Sequence, residues 1–449
     1  MFFKIFTAVW FVFLFTFTQP LLAQERNFSS PMDFKGRYLI SVSDADMLAS
    51  AYVDGKLGVS EGDDALSILP LEGNPNSWSA KEVPASNSVA GPPASVEVTP
   101  DGKYAFVIET WGQRPRAKEN ATFKDLKFGN RLQVFDLSNP KSPQMVQDIT
   151  IPLRPDAIRI NSKGNLIAIT FNNKGGGEKT PLGLFPFSNG KVGTPVYPSI
   201  KGWNNKDRLI DIDWHPKEDI LALLNESGSN IRFTRIDKKL EVTPFGNVVQ
   251  IEKAPFRVEF TPNGKHVVIN ALYWGSDIAG RWIEAPRGSV LTVRMNAGQM
   301  KAGKSGVQPR HAMISTIKTG VSPEGLAISP DGKWVVTTNL ERSYLPYTDK
   351  RITWYSSLTL TSLDQETGQL QKINDFAYDG ILPEAAVFDN SSSYLAVATY
   401  DHFNDSIKGG SIDFWHLVTD PLDRKRVQLL KTNLSIPVTR GVHSLVIAR

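Results

Sequence analysis

The chain has 449 residues, 41% apolar and 21% charged, with a formal net charge of +4 and no cysteine. Ordinary globular composition excludes a disordered or membrane-embedded chain, and the absence of any block of five or more Lys/Arg gives little support to polybasic docking on nucleic acid or a membrane. Without cysteine there is no disulfide framework and no lipid-modified cysteine, so stability rests on a large core.

In chain order, the first element is "MFFKIFTAVWFVFLFTFTQPLLAQ". Lys4 precedes an apolar run from Ile5 to Phe17, then Gln19-Pro20 and the small Ala23, which reads as a secretory signal over residues 1–24. The run of 13 residues falls short of the roughly 20 that a spanning helix needs. That favours cleavage over a retained anchor and predicts a periplasmic or extracellular protein. Six Asn-x-Ser/Thr sequons, at Asn27, Asn120, Asn225, Asn390, Asn404 and Asn433, matter only in a eukaryotic secretory pathway.

Next, one pattern recurs six times: "PPASVEVTPDGKYAFVIET" from Pro92, "RPDAIRINSKGNLIAITFN" from Arg154, "RLIDIDWHPKEDILALLNE" from Arg208, "APFRVEFTPNGKHVVINAL" from Ala254, "SPEGLAISPDGKWVVTTNL" from Ser322 and "LPEAAVFDNSSSYLAVATY" from Leu382. Each copy is a short alternating strand, a polar turn and a β-branched or aromatic run, the signature of a β-hairpin. Aligning the turns puts Thr99, Asn161, His215, Thr261, Ser329 and Asp389 at one position, 46 to 68 residues apart. Two further strands follow each hairpin, as in "RLQVFDLSNPKSPQMVQDITI". Four strands per repeat make a propeller blade.

The chain ends supply a seventh blade. "RGVHSLVIAR" matches a first strand and stops, whereas "KGRYLISVSD" matches a second strand with no first before it. The prediction is an all-β, seven-bladed β-propeller forming one domain over residues 25–449. Its last blade takes strand one from the C-terminus and strands two to four from residues 35 to about 72, which leaves no free sheet edge at the closure.

The run "TGVSPEGLAISPDGKWVVTTN" resembles the YVTN-type β-propeller repeat and the related lactonase-like seven-bladed propellers. The resemblance implies, for members with lactonase or cycloisomerase activity, a His in one blade's opening loop, an Arg after the opening Pro of another, and a Glu where that blade's second strand ends. In "APFRVEFTPNGKHVVINAL", Arg257 stands one position later than that Arg, and Ala271 stands where the Glu would be. The only opening-loop His is His443. The pattern is broken, and no catalytic site is carried over from it.

In a four-stranded blade, the loops between blades and those joining strands two and three share one face. The long segments fall there: "WGQRPRAKENATFKDLKFGN", "YWGSDIAGRWIEAPRG", "ERSYLPYTDKRITWYS" and "YDHFNDSIKGG". Their aromatics, Trp111, Tyr273, Trp274, Trp282, Tyr344 and Tyr347, favour recognition of sugars or peptides when taken together. For any one of them, packing is the commoner role.

Around the predicted channel, the residue after each blade's opening position is Ala94, Asp156, Ile210, Phe256, Glu324, Glu384 or His443, with Arg154, Arg257 and Arg440 nearby. Glu324, Glu384 and His443 on successive blades offer proton-transfer chemistry or, equally, ion pairing that fixes the blades. Glu97, Arg159, Asp213 and Glu259 share one position of the first strand and predict inter-blade pairing, Glu97 with Arg159 and Arg159 with Asp213. No phosphate loop, Rossmann glycine pattern, His-Glu-x-x-His motif or Gly-x-Ser-x-Gly elbow occurs, and "DGKLGVSEGDD" lacks calcium-loop spacing and reads as a solvated connection.

The leading expectation is a monomeric exported module that binds a small molecule, glycan or protein on its long-loop face. Arg154, Arg257, Arg440, Trp111, Tyr273, Trp274 and Tyr344 are the ligand-binding candidates. The alternative is a lactonase-like hydrolase or isomerase of a small carboxylated or lactone substrate. It would use Glu324 or Glu384 as general base with His443 nearby, and Arg257 or Arg440 to hold a carboxylate or oxyanion. Neither reading calls for a cofactor, a metal or nucleic acid.

Overall fold

A computed structural model describes residues 32–86, 94–115, 118, 120–172, 181–273, 286–296, 309–420, 423 and 426–449. Seven antiparallel sheets stand around a central channel. Their innermost strands are Val96–Val98, Pro155–Ile160, Leu209–Trp214, Pro255–Phe260, Pro323–Ile328, Gly380–Phe388 and Val442–Ala448, numbered here as blades 1 to 7. Each innermost strand packs on the next, and the seventh packs on the first. Six sheets have four strands in simple up-and-down order; blade 3 splits its outer edge between Val242–Pro244 and Val249–Gln250.

The seventh blade is assembled from both ends of the chain. Val442–Ala448 pairs with Tyr38–Ser43, which pairs with Ala65–Pro70, which pairs with Lys81–Pro84. The fourth strand lies beyond the predicted limit near residue 72. Asn74 caps a short 3-10 turn, Pro75–Ser77, before the chain returns to the sheet.

The repeated turn position has a physical reason. Thr99, Asn161, His215, Thr261, Ser329 and Asp389 are all buried. Each accepts a backbone amide across its turn, as Thr99 Oγ1 does from Tyr104, Asn161 Oδ1 from Leu166, His215 Nδ1 from Glu218 and Asp389 Oδ1 from Tyr394. Any short side chain with an acceptor satisfies these donors, so chemistry is kept while identity varies. Between blades the core forms aromatic and aliphatic layers, such as Phe106, Phe171, Phe185 and Phe187 between blades 1 and 2. Burying each such side chain contributes about 1.5–3 kcal/mol.

One backbone device positions the channel side chains. Arg154, Ala254, Ser322 and Leu382, which open blades 2, 4, 5 and 6, have φ between +50° and +57°. A proline follows each, and the pairing then skips one residue: Pro323 faces Asn339, while Gly325 faces Thr338. The same bulge falls at Asp156, Ile210, Phe256, Glu384 and His443. A bulge re-aims the extra side chain out of the ladder. The amide after it is caught by strand two, from Ala157 by Thr170, Arg257 by Asn270 and Gly325 by Thr338.

Blade 7 reaches its bulge through Gly441, at φ +85°, where a Cβ would collide with the Asp44 carbonyl. Gly441→Ala is expected to cost about 3 kcal/mol, from unfavourable φ plus the collision. Urea unfolding of parent and variant measures it, and an unchanged midpoint would contradict this account of the closure.

Candidate active site at the channel mouth

The bulges bring Glu324 and Glu384 together beneath the long-loop face. Glu384 is 0% exposed and Glu324 8%. Burial pushes the Glu324 carboxyl up to about 8. Burial, then the charges of Glu324 and Asp44, push Glu384 well above the carboxylate range, against the lowering effect of Tyr52. The Tyr52 hydroxyl is directed at the Glu384 carboxylate and favours its charged form. Two carboxyls held neutral by burial, Glu384 also by the charge of Glu324, form one proton-holding unit.

What buries them is a segment that the sequence reading treated in part as a solvated connection. Residues 44–64, between strands two and three of blade 7, fold over the channel mouth. A one-turn helix, Ala51–Asp54, ends at Gly55 in the left-handed conformation. Met47, Ala49, Ala51 and Leu57 join Tyr344, Leu345, Ile381, Leu382, Tyr400 and Ala121 in one apolar cluster. The Tyr400 hydroxyl donates to the Met47 carbonyl at 2.7 Å. The apolar run "MLASAYV" drives this docking, and acidic flanks on both sides disguise it as loop. Tyr52 projects from the helix, and burial, then Glu384 and Glu324, raise its hydroxyl pKa well above the phenolic range. Tyr344 is 2% exposed and its pKa is likewise raised, by burial and then by Glu324.

His443, one blade on, is 1% exposed, and burial pushes it down to about 3, so the imidazole is neutral. Arg440 is buried; its Nη1 lies 2.8 Å from Glu61 Oε1, and its Nη2 donates to the Ala45 and Val59 carbonyls, tying the plug to blade 7. Among the described residues, Asp44, Asp46 and Asp64 bring carboxylate oxygens within 4.8 Å of one another. Those of Asp44 and Asp64 already accept the Asp46 and Ala45 amides.

The other candidates lie elsewhere. Arg154 stacks over Trp111 and Phe128 at 5.0 and 4.6 Å, with its buried Nε left without a hydrogen-bond partner. Asp156 is paired with Arg208 at 2.8 Å. Tyr273 lies under Lys318 at 5.0 Å. Trp274 and Trp282 lie outside the described residues. Ala94 carries no side chain that reaches the channel.

Arg257 belongs to a deeper belt, its Nε 3.4 Å from Asp211. There Arg159 lies 3.7 Å from Asp211 and 3.8 Å from Asp213, so the predicted contact with Asp213 is an ion pair longer than a hydrogen bond. Glu97 accepts its neighbour's amide, Val98, at 2.8 Å, rather than a guanidinium hydrogen bond. Asp211 and Asp213 accept the Val258 and Phe260 amides of blade 4. Stitching one blade's inner edge to the next is the belt's main work. Its cavity, about 290 Å³, runs down the channel from Glu384 past Arg257 and Glu259.

Beside the residues 44–64 cover lies a cleft of about 410 Å³, between Ser50 and Glu61, the blade 5 loop from Ser343 to Thr348 and the blade 6 loop at Asp401 to Lys408, with Arg440 and Tyr344 in its wall; neither acid lines it. The sequence reading missed Tyr52, Asp401 and His402, which no repeat position marks.

No family model and no curated protein matches the chain. Solved structures share its fold. A candidate 6-phosphogluconolactonase from Bacteroides uniformis aligns with TM-score 0.59 and 16% identity over 91% of this chain and 99% of its own. One from Bacteroides fragilis gives 0.57 and 14%, over 92% and 98%. The periplasmic gluconolactonase PpgL of Pseudomonas aeruginosa gives 0.57 and 14%, over 92% and 99%. At these identities the likeness establishes the seven-bladed propeller, and the YVTN-type reading rests on sequence resemblance alone.

Proposed function

We propose that the protein is a lactonase-like hydrolase of a small lactone or ester, working at the channel mouth with Glu324 and Glu384 as its acid–base pair. One observation carries the reading: two carboxyls from adjacent blades meet in a buried site where both resist ionisation. Such pairs split into acid and base roles. Glu324, the more accessible, takes a proton from water as it attacks the carbonyl carbon. Glu384, which stays protonated, gives its proton to the alkoxide released when the C–O bond breaks. The products are the alcohol and the acid, joined as one hydroxy acid when the substrate is a lactone. The Tyr52 and Tyr344 hydroxyls are donors for the transient oxyanion. The names of the structural neighbours agree with this chemistry.

Sugar and aliphatic lactones and aryl esters, followed by pH-stat, test it. Expected is a kcat/KM that rises with pH to a plateau above about pH 8, and falls about 10²–10⁴-fold in Glu324→Gln with the fold intact. Absence of turnover across the panel, or unchanged turnover in the variant, would overturn it. A non-catalytic binding role on the same face is favoured by one fact, the complete cover over Glu384. Either role goes with export, on the reading of residues 1–24 as a signal.

A further inference from the structure

At the rim of the cleft, the long-loop face carries an aromatic surface that takes no part in the proposed acid–base step. Tyr347 is 51% and Trp354 57% exposed. Their rings lie 5.3 Å apart with 36° between planes, and both rest on Phe403, at 6.4 and 5.3 Å. Phe403 is itself packed on the apolar cluster that holds the plug. The two exposed rings therefore sit on a fixed base. Their loop is also pinned: Arg342 N donates to Thr353 Oγ1 at 2.8 Å, and Arg351 donates to the Asp349 carboxylate from its backbone N, Nε and Nη2. Holding large apolar rings in water on a rigid loop is unfavourable unless something covers them.

The polar groups beside the rings define what covers them. Tyr347 lines the cleft together with Asp401, His402, Asp405 and Lys408. Asp401 and Asp405 both act on the Tyr347 hydroxyl, adding to burial in raising its pKa. His402 Nε2 is buried with no hydrogen-bond partner. Carboxylates beside flat aromatic faces suit a ligand with apolar C–H faces and hydroxyl donors, which is a pyranose. A phosphorylated sugar meets two carboxylates and one lysine, since Arg440 is committed to Glu61. A quaternary ammonium ion needs rings that wall a box, and these rings touch one another.

We propose that Tyr347 and Trp354, with Asp401 and Asp405, form a binding platform for neutral saccharide units of a glycan. The platform does not depend on turnover at Glu324 and Glu384. Tryptophan fluorescence titration of the full-length protein tests it, with cello-, malto- and N-acetylchito-oligosaccharides as probes, and glucose 6-phosphate and tetramethylammonium as comparisons. Expected is saturable binding of at least one neutral series, weakened about tenfold or more in Trp354→Ala and partly restored in Trp354→Phe. Isothermal titration calorimetry supplies the readout for variants that lack this fluorophore. The proposal is overturned if no neutral series binds, if Trp354→Ala binds as the parent does, or if either charged comparison binds as tightly as the saccharide.

Discussion

Removal of residues 440–449 is expected to abolish the cooperative thermal transition. These residues supply the innermost strand of blade 7, whose residues between Val442 and Ala448 pair with all six residues of Tyr38–Ser43. Val442, Leu445 and Ala448 are buried at 0%, 5% and 1% exposure. Losing the first two costs about 1.5–3 kcal/mol each. The ladder amides of Tyr38–Ser43 lose partners worth about 1 kcal/mol each. Arg440 no longer holds the plug through Glu61, and the Ser95 amide loses Ser444 Oγ. The sum takes up most of the roughly 5–15 kcal/mol by which domains are stable, and the open ring exposes strand edges prone to aggregation. Circular dichroism melting of the truncated chain checks this. A transition at the parental temperature would refute closure by the C-terminal strand. A synthetic peptide of residues 440–449, added in trans, should restore part of the transition.

That closure was legible because a repeat exposes its own gaps: "RGVHSLVIAR" and "KGRYLISVSD" are each half of a hairpin present six times elsewhere. The acid pair was legible as two positions, Glu324 and Glu384, at one point of the repeat. Its environment was not. The bulge that aims both side chains inward leaves only an opening residue followed by proline, and blade 3 builds the same bulge on Arg208-Leu209 without proline. The plug belongs to no repeat, and Tyr52 meets Glu384 only because blade 7 is made from both chain ends. Trp354 and Phe403 were passed over for a similar reason: their loops are unique to blades 5 and 6, so alignment within the chain compares them with nothing. Sequence shows the charge of Arg154 and the aromaticity of Trp111 but not that the guanidinium stacks on the ring.

The buried acids also set how stability responds to pH. Glu324 and Asp213 are raised to about 8 and Glu259 to about 7, and Glu384 lies well above its usual range, in each case with burial as the largest cause. Unfolded, these groups titrate near pH 4. Between those limits the folded protein holds protons that the unfolded chain has released, so stability declines as pH rises. The contribution of Glu324, Asp213 and Glu259 is complete below about pH 4 and is lost through about pH 7–8. Asp375 and Asp379 run the other way. Despite partial burial, Lys372 and Lys431 hold them low, so their contribution is lost on acidification. The expected result is a melting temperature that peaks near pH 5 and falls steadily to pH 8.5. Glu384→Gln keeps the shape of the side chain and removes its ionisation. It should match the parent near pH 5 and exceed it in stability at pH 8.5 in urea unfolding, with a reduced slope rather than none, since Glu324, Asp213 and Glu259 remain. In Glu324→Gln, Glu384 loses a repelling neighbour, so its pKa should fall, readable by NMR titration of the labelled carboxyl. Parallel stability profiles for parent and Glu384→Gln, with Glu384 unmoved in Glu324→Gln, would mean that the two carboxyls do not share a site.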